Sequence, residues 1–597
     1  MLQSMKKSLT HFKFGLQESL LVISLVEFSI SGTLFVLTIL VISMLSLYSK
    51  RVVNFGHRAA RGILVFISAF SLLLLIAPRL HMPLRQREVI IVLLFTAVFL
   101  SIKTHSRFRW PEKISCDSLV STIAPFSLLS IALFSYMKFG RTMAWVMSGD
   151  AKNHISIVRS TVENGGIQSF PGYPALGNAV VGLMGGWRFD LDYRLAGELK
   201  TEVRVFGLVL LILLALSCFL VAYLSHSITS NSKTWRYATI IILSFLPISN
   251  LWLYPILEIG FFPISLLFVI LVAFAIESRA LEKIGPFYLG LTISSTIAVV
   301  LTYPPAAPII LAIAASTLGQ LRTQYSRTWV RRLQPLLMAL FFGILARVIY
   351  LIPESSRLIE KYLELNGLFH PFSKWPMYSS TLLALIMCFS KNPSTRWFAN
   401  ASIVVAATAL STDVFLDSIL QNTYYLEKTR WVTSCFLMLL VSIALFNAIS
   451  SSQRRSARLL CLPVLLIIVV ISMRSIAQNY PSNSIALDIT RDWQLPSADE
   501  TRLIEKTNAL EPESIFWKVS PNYLATQVID IWISIGAEDR PENTYFGYQQ
   551  DVFSLEAVCN YAKSNVPTTI WVPSASMVEI VSESCAFNGV SVREIEH

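Results

Sequence analysis

Charge is what this sequence most lacks. Only 14% of its 597 residues are Asp, Glu, Lys or Arg, and 54% are hydrophobic; soluble domains carry roughly 25% charged residues. That shortage excludes one large soluble core. Cysteine is sparse too, with seven residues and no metal-ligand spacing among them. Cys218, Cys388, Cys435 and Cys461 fall in or beside apolar runs, where a thiol packs as a small hydrophobe, and Cys116 falls in a basic loop. Cys559 and Cys585 form an even pair, and spacing alone does not decide between a disulfide and two thiols. No internal repeat and no low-complexity segment occurs, which excludes a solenoid or an array. The first apolar run holds Glu27 and lacks a small-residue cleavage site, so it reads as a retained span rather than a signal peptide.

What the chain has instead is long apolar runs. They lie near 20–48, 62–78, 88–102, 119–137, 205–224, 237–252, 259–276, 286–302, 305–319, 336–352, 376–390, 398–411, 430–449 and 459–474. Runs of about 20 residues cross a bilayer as helices. The expected fold is therefore a polytopic α-helical membrane protein with about 12–14 transmembrane helices.

The net charge of +12 does not mark a nucleic-acid binder, because of where it sits. From Gln478 onward 17 acidic residues face 7 basic ones, a balance of −10, so the remainder carries +22. Most of that excess lies in short loops, as the positive-inside rule requires. Loops 49–61, 103–118, 225–236, 277–285, 320–335, 390–397 and 450–458 hold 21 Lys and Arg, against 8 in the short loops between them. The first set is read as cytoplasmic. HMPLRQR (81–87) votes the other way. This orientation puts the long loop 138–204 and the acidic tail on the extracytoplasmic side of a plasma membrane.

Four segments follow: 1–137 with four spans, the external loop 138–204, the remaining spans in 205–477, and an external C-terminal domain, 478–597. The tail reads as a small α/β unit. IFWKVSP (515–521), TTIWVP (568–573) and VSVREIE (590–596) are strand-like. SLEAVCNYAKSN (554–565) and SMVEIVSESCAFNG (576–589) are helix-like, the second closed by Gly589.

The external loop opens with SGDAKNHISIV. Residues 149–166 read as a helix with an apolar stripe at Ile155, Val158 and Val162, ended by Gly165-Gly166. Asp150, Asn153 and His154 stand at i, i+3 and i+4 and share a face at the helix start. That end carries a partial positive charge, which favours an ionised carboxylate and a phosphate. Asp150 suits a general base. His154, Lys152 and Arg159 suit phosphate binding. The plainer alternative is a capping Asp150 beside a surface His154.

The apolar, Gly-rich stretch 170–187 reads as an interfacial helix or a re-entrant piece. Asp190 and Asp192 form a D-x-D pair, a weak candidate for a divalent cation. Proline-broken segments, WLYPILEIGFFP (252–263) and TYPPAAP (302–308), fall on the same side. Such breaks at membrane depth line cavities when they are not simple helix ends. Glu258 lies in the first, and an intramembrane acid is a functional candidate. QNTYYLEKTRWV (421–432) collects Tyr424, Tyr425, Lys428, Arg430 and Trp431. It reads either as an aromatic belt with snorkelling cations or as a phosphate clamp with Arg430 as forked donor.

Taken in order, these features resemble the GT-C class of integral membrane glycosyltransferases. The nearer likeness is to an actinobacterial multi-span group with four spans and then a D-A-x-x-H loop, here Asp150-Ala151-Lys152-Asn153-His154. A Tyr-Pro at Tyr173-Pro174, broken segments at Tyr254-Pro255 and Phe262-Pro263, a proline pair at Pro304-Pro305, and the Tyr425 and Arg430 span entry follow in that order. The likeness covers most of the architecture but only about ten residues. It departs at Asn178 and at Tyr303, where that group tends to carry histidines.

The resemblance implies transfer of a sugar from a polyprenyl-phosphate donor to an envelope glycan or glycolipid. Asp150 would be the base, Arg430 would steady the phosphate, and no metal or other cofactor would be required. It also implies contact with the lipid bilayer and none with nucleic acid. Two other classes fit the same sequence: a transporter or flippase, and a non-catalytic envelope assembly protein.

Overall fold

The computed structural model describes residues 55–79, 116–139, 154, 157, 158, 161, 175–184, 196–228, 233–248, 262–281, 286–323, 375–417, 424–451, 514–517, 555–564 and 567–594. Most of these are helical. The helices are α1 (Phe55–Arg79), α2 (Cys116–Phe139), α3 (Ala175–Met184), α4 (Ala196–Ser225), α5 (Lys233–Ser244), α6 (Pro263–Arg279), α7 (Pro286–Thr302), α8 (Ala307–Thr323), α9 (Trp375–Met387), α10 (Pro393–Asp417) and α11 (Tyr424–Ser451). Each apolar run that falls wholly or largely on described residues is helical. The runs at 20–48, 88–102, 336–352 and 459–474 lie outside them. Among the described residues three stretches, Ala59–Ile76, Phe206–Ser225 and Glu427–Ser450, are long and apolar enough to cross a membrane. Leu119–Phe134, Phe287–Thr302 and Pro304–Leu318 are shorter apolar helical stretches.

The core is built around α6. Every residue from Pro263 to Ser278 is buried, as expected of a helix apolar on all faces. Pro263 opens the helix at a position where a missing N–H costs nothing. Helices α1, α4, α7 and α8 pack around it. The break in TYPPAAP is a short turn: Tyr303 is extended, Pro304–Ala306 form one 3₁₀ turn, and α8 follows at once.

One end of this core is closed by polar contacts. Glu277, almost fully buried at the end of α6, accepts hydrogen bonds from Arg61 (2.6 and 3.1 Å) and pairs with His57 Nε2 at 2.6 Å. Gly56 lets the Tyr223 ring lie against α1; a Cβ there would overlap the ring. Tyr288 shares a hydrogen bond with Ser278, and His226 shares one with Ser121. Trp235 donates to Ser450, and Asn447 donates to Ser394 and to the Ser227 carbonyl. These residues come from, or directly adjoin, six of the loops that the charge count groups on one side.

The tail forms a three-stranded parallel sheet in the order β1 (Ser514–Phe516), β2 (Thr568–Val572), β3 (Val590–Glu594). Helices α12 (Leu555–Ser564) and α13 (Ala575–Ser584) cover it. Trp571 of β2 also lies against the helical core. One expectation needs correcting. Helix α13 stops at Ser584, so Gly589 does not close it; with φ at 88° it makes the turn into β3 instead. Cys559 and Cys585 are joined in a disulfide that ties α12 to the end of α13.

Two outcomes are expected. Arg61→Ala leaves Glu277 buried without its main partner and lowers stability by about 3–5 kcal/mol, whereas Glu277→Leu removes the charge and costs less. Thermal unfolding of the purified protein in detergent compares them, and equal losses would contradict the argument. Replacing Cys559 and Cys585 together by Ser releases a 26-residue closure and destabilises the tail by about 3 kcal/mol. Pulse proteolysis of the full chain reads this, with wild type under reductant as the matching control.

Candidate functional site

The other end of the core gathers chemistry-bearing residues. His154, Ile157, Val158 and Thr161 are helical, and the Thr161 hydroxyl donates to the Ile157 carbonyl one turn back. His154, Val158 and Thr161 are buried and stand at i, i+4 and i+7, so they form one face. His154 therefore belongs to the buried stripe with Val158; it is not a surface residue.

The segment after it supplies the partner. Helix α3 is short, and Leu176, Asn178, Ala179, Val180 and Val181 are all buried. It packs against α4, α6 and α7 rather than lying on a surface. Gly177 allows this approach: a Cβ there would stand 3.3 Å from Phe262 and 3.4 Å from the Pro263 backbone. The next residue, Asn178, then reaches His154, with its Oδ1 3.1 Å from Nδ1. An amide oxygen only accepts, so Nδ1 carries the hydrogen and the ring tautomer is set. Phe262 meets the imidazole edge-on at 5.8 Å and is itself packed on Phe206 at 4.7 Å.

A second cluster lies at the start of α11. Glu427, Lys428, Arg430 and Trp431 are buried there. Arg430 pairs with Glu427 one turn before it, the i, i+3 geometry of a helix surface. Tyr303, buried at the proline turn, shares a hydrogen bond of 2.8 Å with Thr429. This is not a solvent-facing belt with snorkelling cations. Tyr424 and Tyr425 lie in the first turn of the same helix.

Both clusters occupy the same end. Helix α6 begins just after Phe262, which lies beside His154, and Glu277 stands in its last turn. Helix α7 starts beside that finish, through Tyr288 and Ser278, and returns to Tyr303 and Thr429. Asp150, Lys152, Asn153, Arg159, Tyr173, Asp190, Asp192 and Glu258 lie outside the described residues.

Reading the sequence by motif did not single out three residues that the structure places here. Glu427 was legible from its i, i+3 spacing to Arg430. Asn178 and Tyr303 drew notice only as departures from a pattern, yet Asn178 partners His154 and Tyr303 anchors the neighbour of Arg430. No protein-family model matches this chain, and no curated protein or solved structure does either.

The close fit at Gly177 is testable. Gly177→Leu is expected to force α3 away from α6 at a cost of about 1–3 kcal/mol, and adding Phe262→Ala recovers part of it. Thermal unfolding of the two single variants and the double variant gives the coupling. Strict additivity would contradict the contact.

Proposed function

We propose that the protein is a multi-span membrane glycosyltransferase of GT-C type. It moves a sugar from a polyprenyl-phosphate donor to a cell-envelope glycan or glycolipid on the outer face of the plasma membrane. The observation that carries this reading is the pairing of two buried clusters at one end of an apolar helical core. One holds a histidine with a set tautomer; the other holds Lys428 and Arg430. The described residues that adjoin the basic loops sit at the opposite end, which by the positive-inside rule supports an extracytoplasmic cluster end. Large apolar side chains stand exposed along α2, α7 and α9, including Met137 at 75%, Phe126 at 71% and Trp375 at 71%. A lipid-facing surface accounts for them.

The chemistry follows from these groups. The acceptor hydroxyl loses its proton to Asp150 as its oxygen attacks the anomeric carbon. The bond from that carbon to the phosphate oxygen breaks on the opposite face. The polyprenyl phosphate departs with the bonding electrons, and the product is inverted at the anomeric centre. Charge builds on the leaving phosphate, and Arg430 and Lys428 offer donors to it. Glu427 pairs with the Arg430 guanidinium, whose five N–H donors form a fork that matches a phosphate. The chain's own side chains then supply the base and the phosphate contacts, with no added cofactor in the scheme. The acidic C-terminal domain shares the outer side, where the growing glycan would pass.

Membranes supplied with a radiolabelled polyprenyl-phospho-sugar test the scheme. Asp150→Asn is expected to slow glycan extension by about 100-fold or more. Arg430→Lys keeps the charge but loses the fork, and is expected to raise the donor KM more than it lowers kcat. An Asp150→Asn rate equal to wild type would sink the assignment of the base.

A further inference from the structure

The apolar surface is not equally tall on every side of the core. Helix α9 and the turn after it expose Trp375, Tyr378, Leu382, Leu385, Ile386 and Phe389, at the spacings of three, four and seven that define one helix face. The polar groups along this face turn back on their own helix. Ser379 donates to the Pro376 carbonyl, Thr381 to the Met377 carbonyl and Cys388 to the Leu385 carbonyl. In hydrocarbon each polar group must be satisfied within the protein, and these three are.

Both ends of the face are marked. At one end the Trp375 and Tyr378 rings meet edge-on at 6.5 Å, and amphipathic rings gather at a membrane–water boundary. At the other, exposed Lys391 follows Phe389, just before α10 begins and Ser394 meets Asn447. In the sequence a further lysine, Lys374, directly precedes Trp375. From Trp375 to Phe389 the rise at 1.5 Å per residue is roughly 21 Å. The exposed face of α2 runs from Leu119 to Met137, roughly 27 Å by the same measure. A bilayer's hydrocarbon core is about 30 Å thick. Helix α2 packs on α4 and α5, and α9 on α10 and α11, so the two bands border different lipid. Any tilt of α9 shortens its band further.

We infer that the α9 face binds phospholipid with short acyl chains and thins the bilayer on that side of the protein. Thinning is one way a bilayer meets an apolar band shorter than itself. Helix α11, on which α9 packs, carries Lys428 and Arg430 near its start, so the thinned lipid lies on the side of that cluster. The inference rests on the membrane reading above, but not on sugar transfer.

The full-length protein is reconstituted into nanodiscs of dimyristoyl, dioleoyl or dierucoyl phosphatidylcholine, in order of increasing thickness. A fluorescent amino acid replaces Leu382 in one variant and Phe389 in another. Lipid brominated at its chain ends is expected to quench the label at position 382, and lipid brominated near the head group the label at 389. Aqueous iodide is expected to leave the label at 382 unquenched. Iodide quenching there overturns the inference by placing the face in water. No quenching by either brominated lipid overturns it by assigning the face to a protein neighbour, such as a second copy. The unfolding temperature of wild type is expected to fall as the bilayer thickens. Lys391→Leu lengthens the band at its inner end and is expected to shrink that fall. Unfolding temperatures that ignore the lipid, or a fall of the same size in Lys391→Leu, overturn the thinning. None of these outcomes depends on the Asp150→Asn assay, so the two readings fail separately.

Discussion

Burying α6 on every side is the constraint from which the rest of the architecture follows. A helix with no solvent face has its backbone satisfied internally and its side chains satisfied by packing. Its buried acid, Glu277, had to be met by groups from elsewhere. Arg61 and His57 on α1 meet it, which fixes α1 against α6 in register as well as in contact. The opposite tip, at Phe262 and Pro263, is the floor on which α3 and the His154 helix rest. One helix thus sets the position of both polar ends.

The two ends differ in kind. At the end where α1 begins, hydroxyls, amides and carbonyls form many short links between successive helices, such as Asn447 to Ser394 and Trp235 to Ser450. Those links use neutral groups whose loss costs about 1 kcal/mol each. At the other end the polar groups are fewer and more costly to bury: an imidazole, a lysine and an arginine–glutamate pair. Buried charge contributes little to stability by itself. Buried charge lies at both ends, since Glu277 with Arg61 and His57 stands at the first.

Much of the architecture was legible in the residues. Runs such as 286–302 matched helix α7 at both ends because length and hydropathy suffice to define a buried helix. The tail's three strands and two helices were legible from alternation and turn residues. Pairings between distant positions were not. His57 and Glu277 lie 220 residues apart, and Tyr303 and Thr429 lie 126 apart; no local periodicity reports on either. The i, i+3, i+4 spacing groups His154 with Asp150 and Asn153 on one face. The fold buries His154 because Asn178, 24 residues later, supplies an acceptor. The disulfide was open for the same reason: sequence separation does not give the distance between two Cα atoms, which is 4.8 Å here.

The order of the parallel sheet has a further consequence for the tail. With order β1-β2-β3, the last strand is an edge among the described residues, and an edge with free N–H and C=O groups recruits strands from other molecules. Here Arg593 and Glu594 stand exposed on it, and Arg593 is drawn over the ring of its cross-strand neighbour, Trp571, at 5.9 Å. Charge at that margin discourages the stacking of one copy on the next. On the membrane reading proposed above, copies confined to two dimensions meet often, and such a guard against self-association keeps the tails separate.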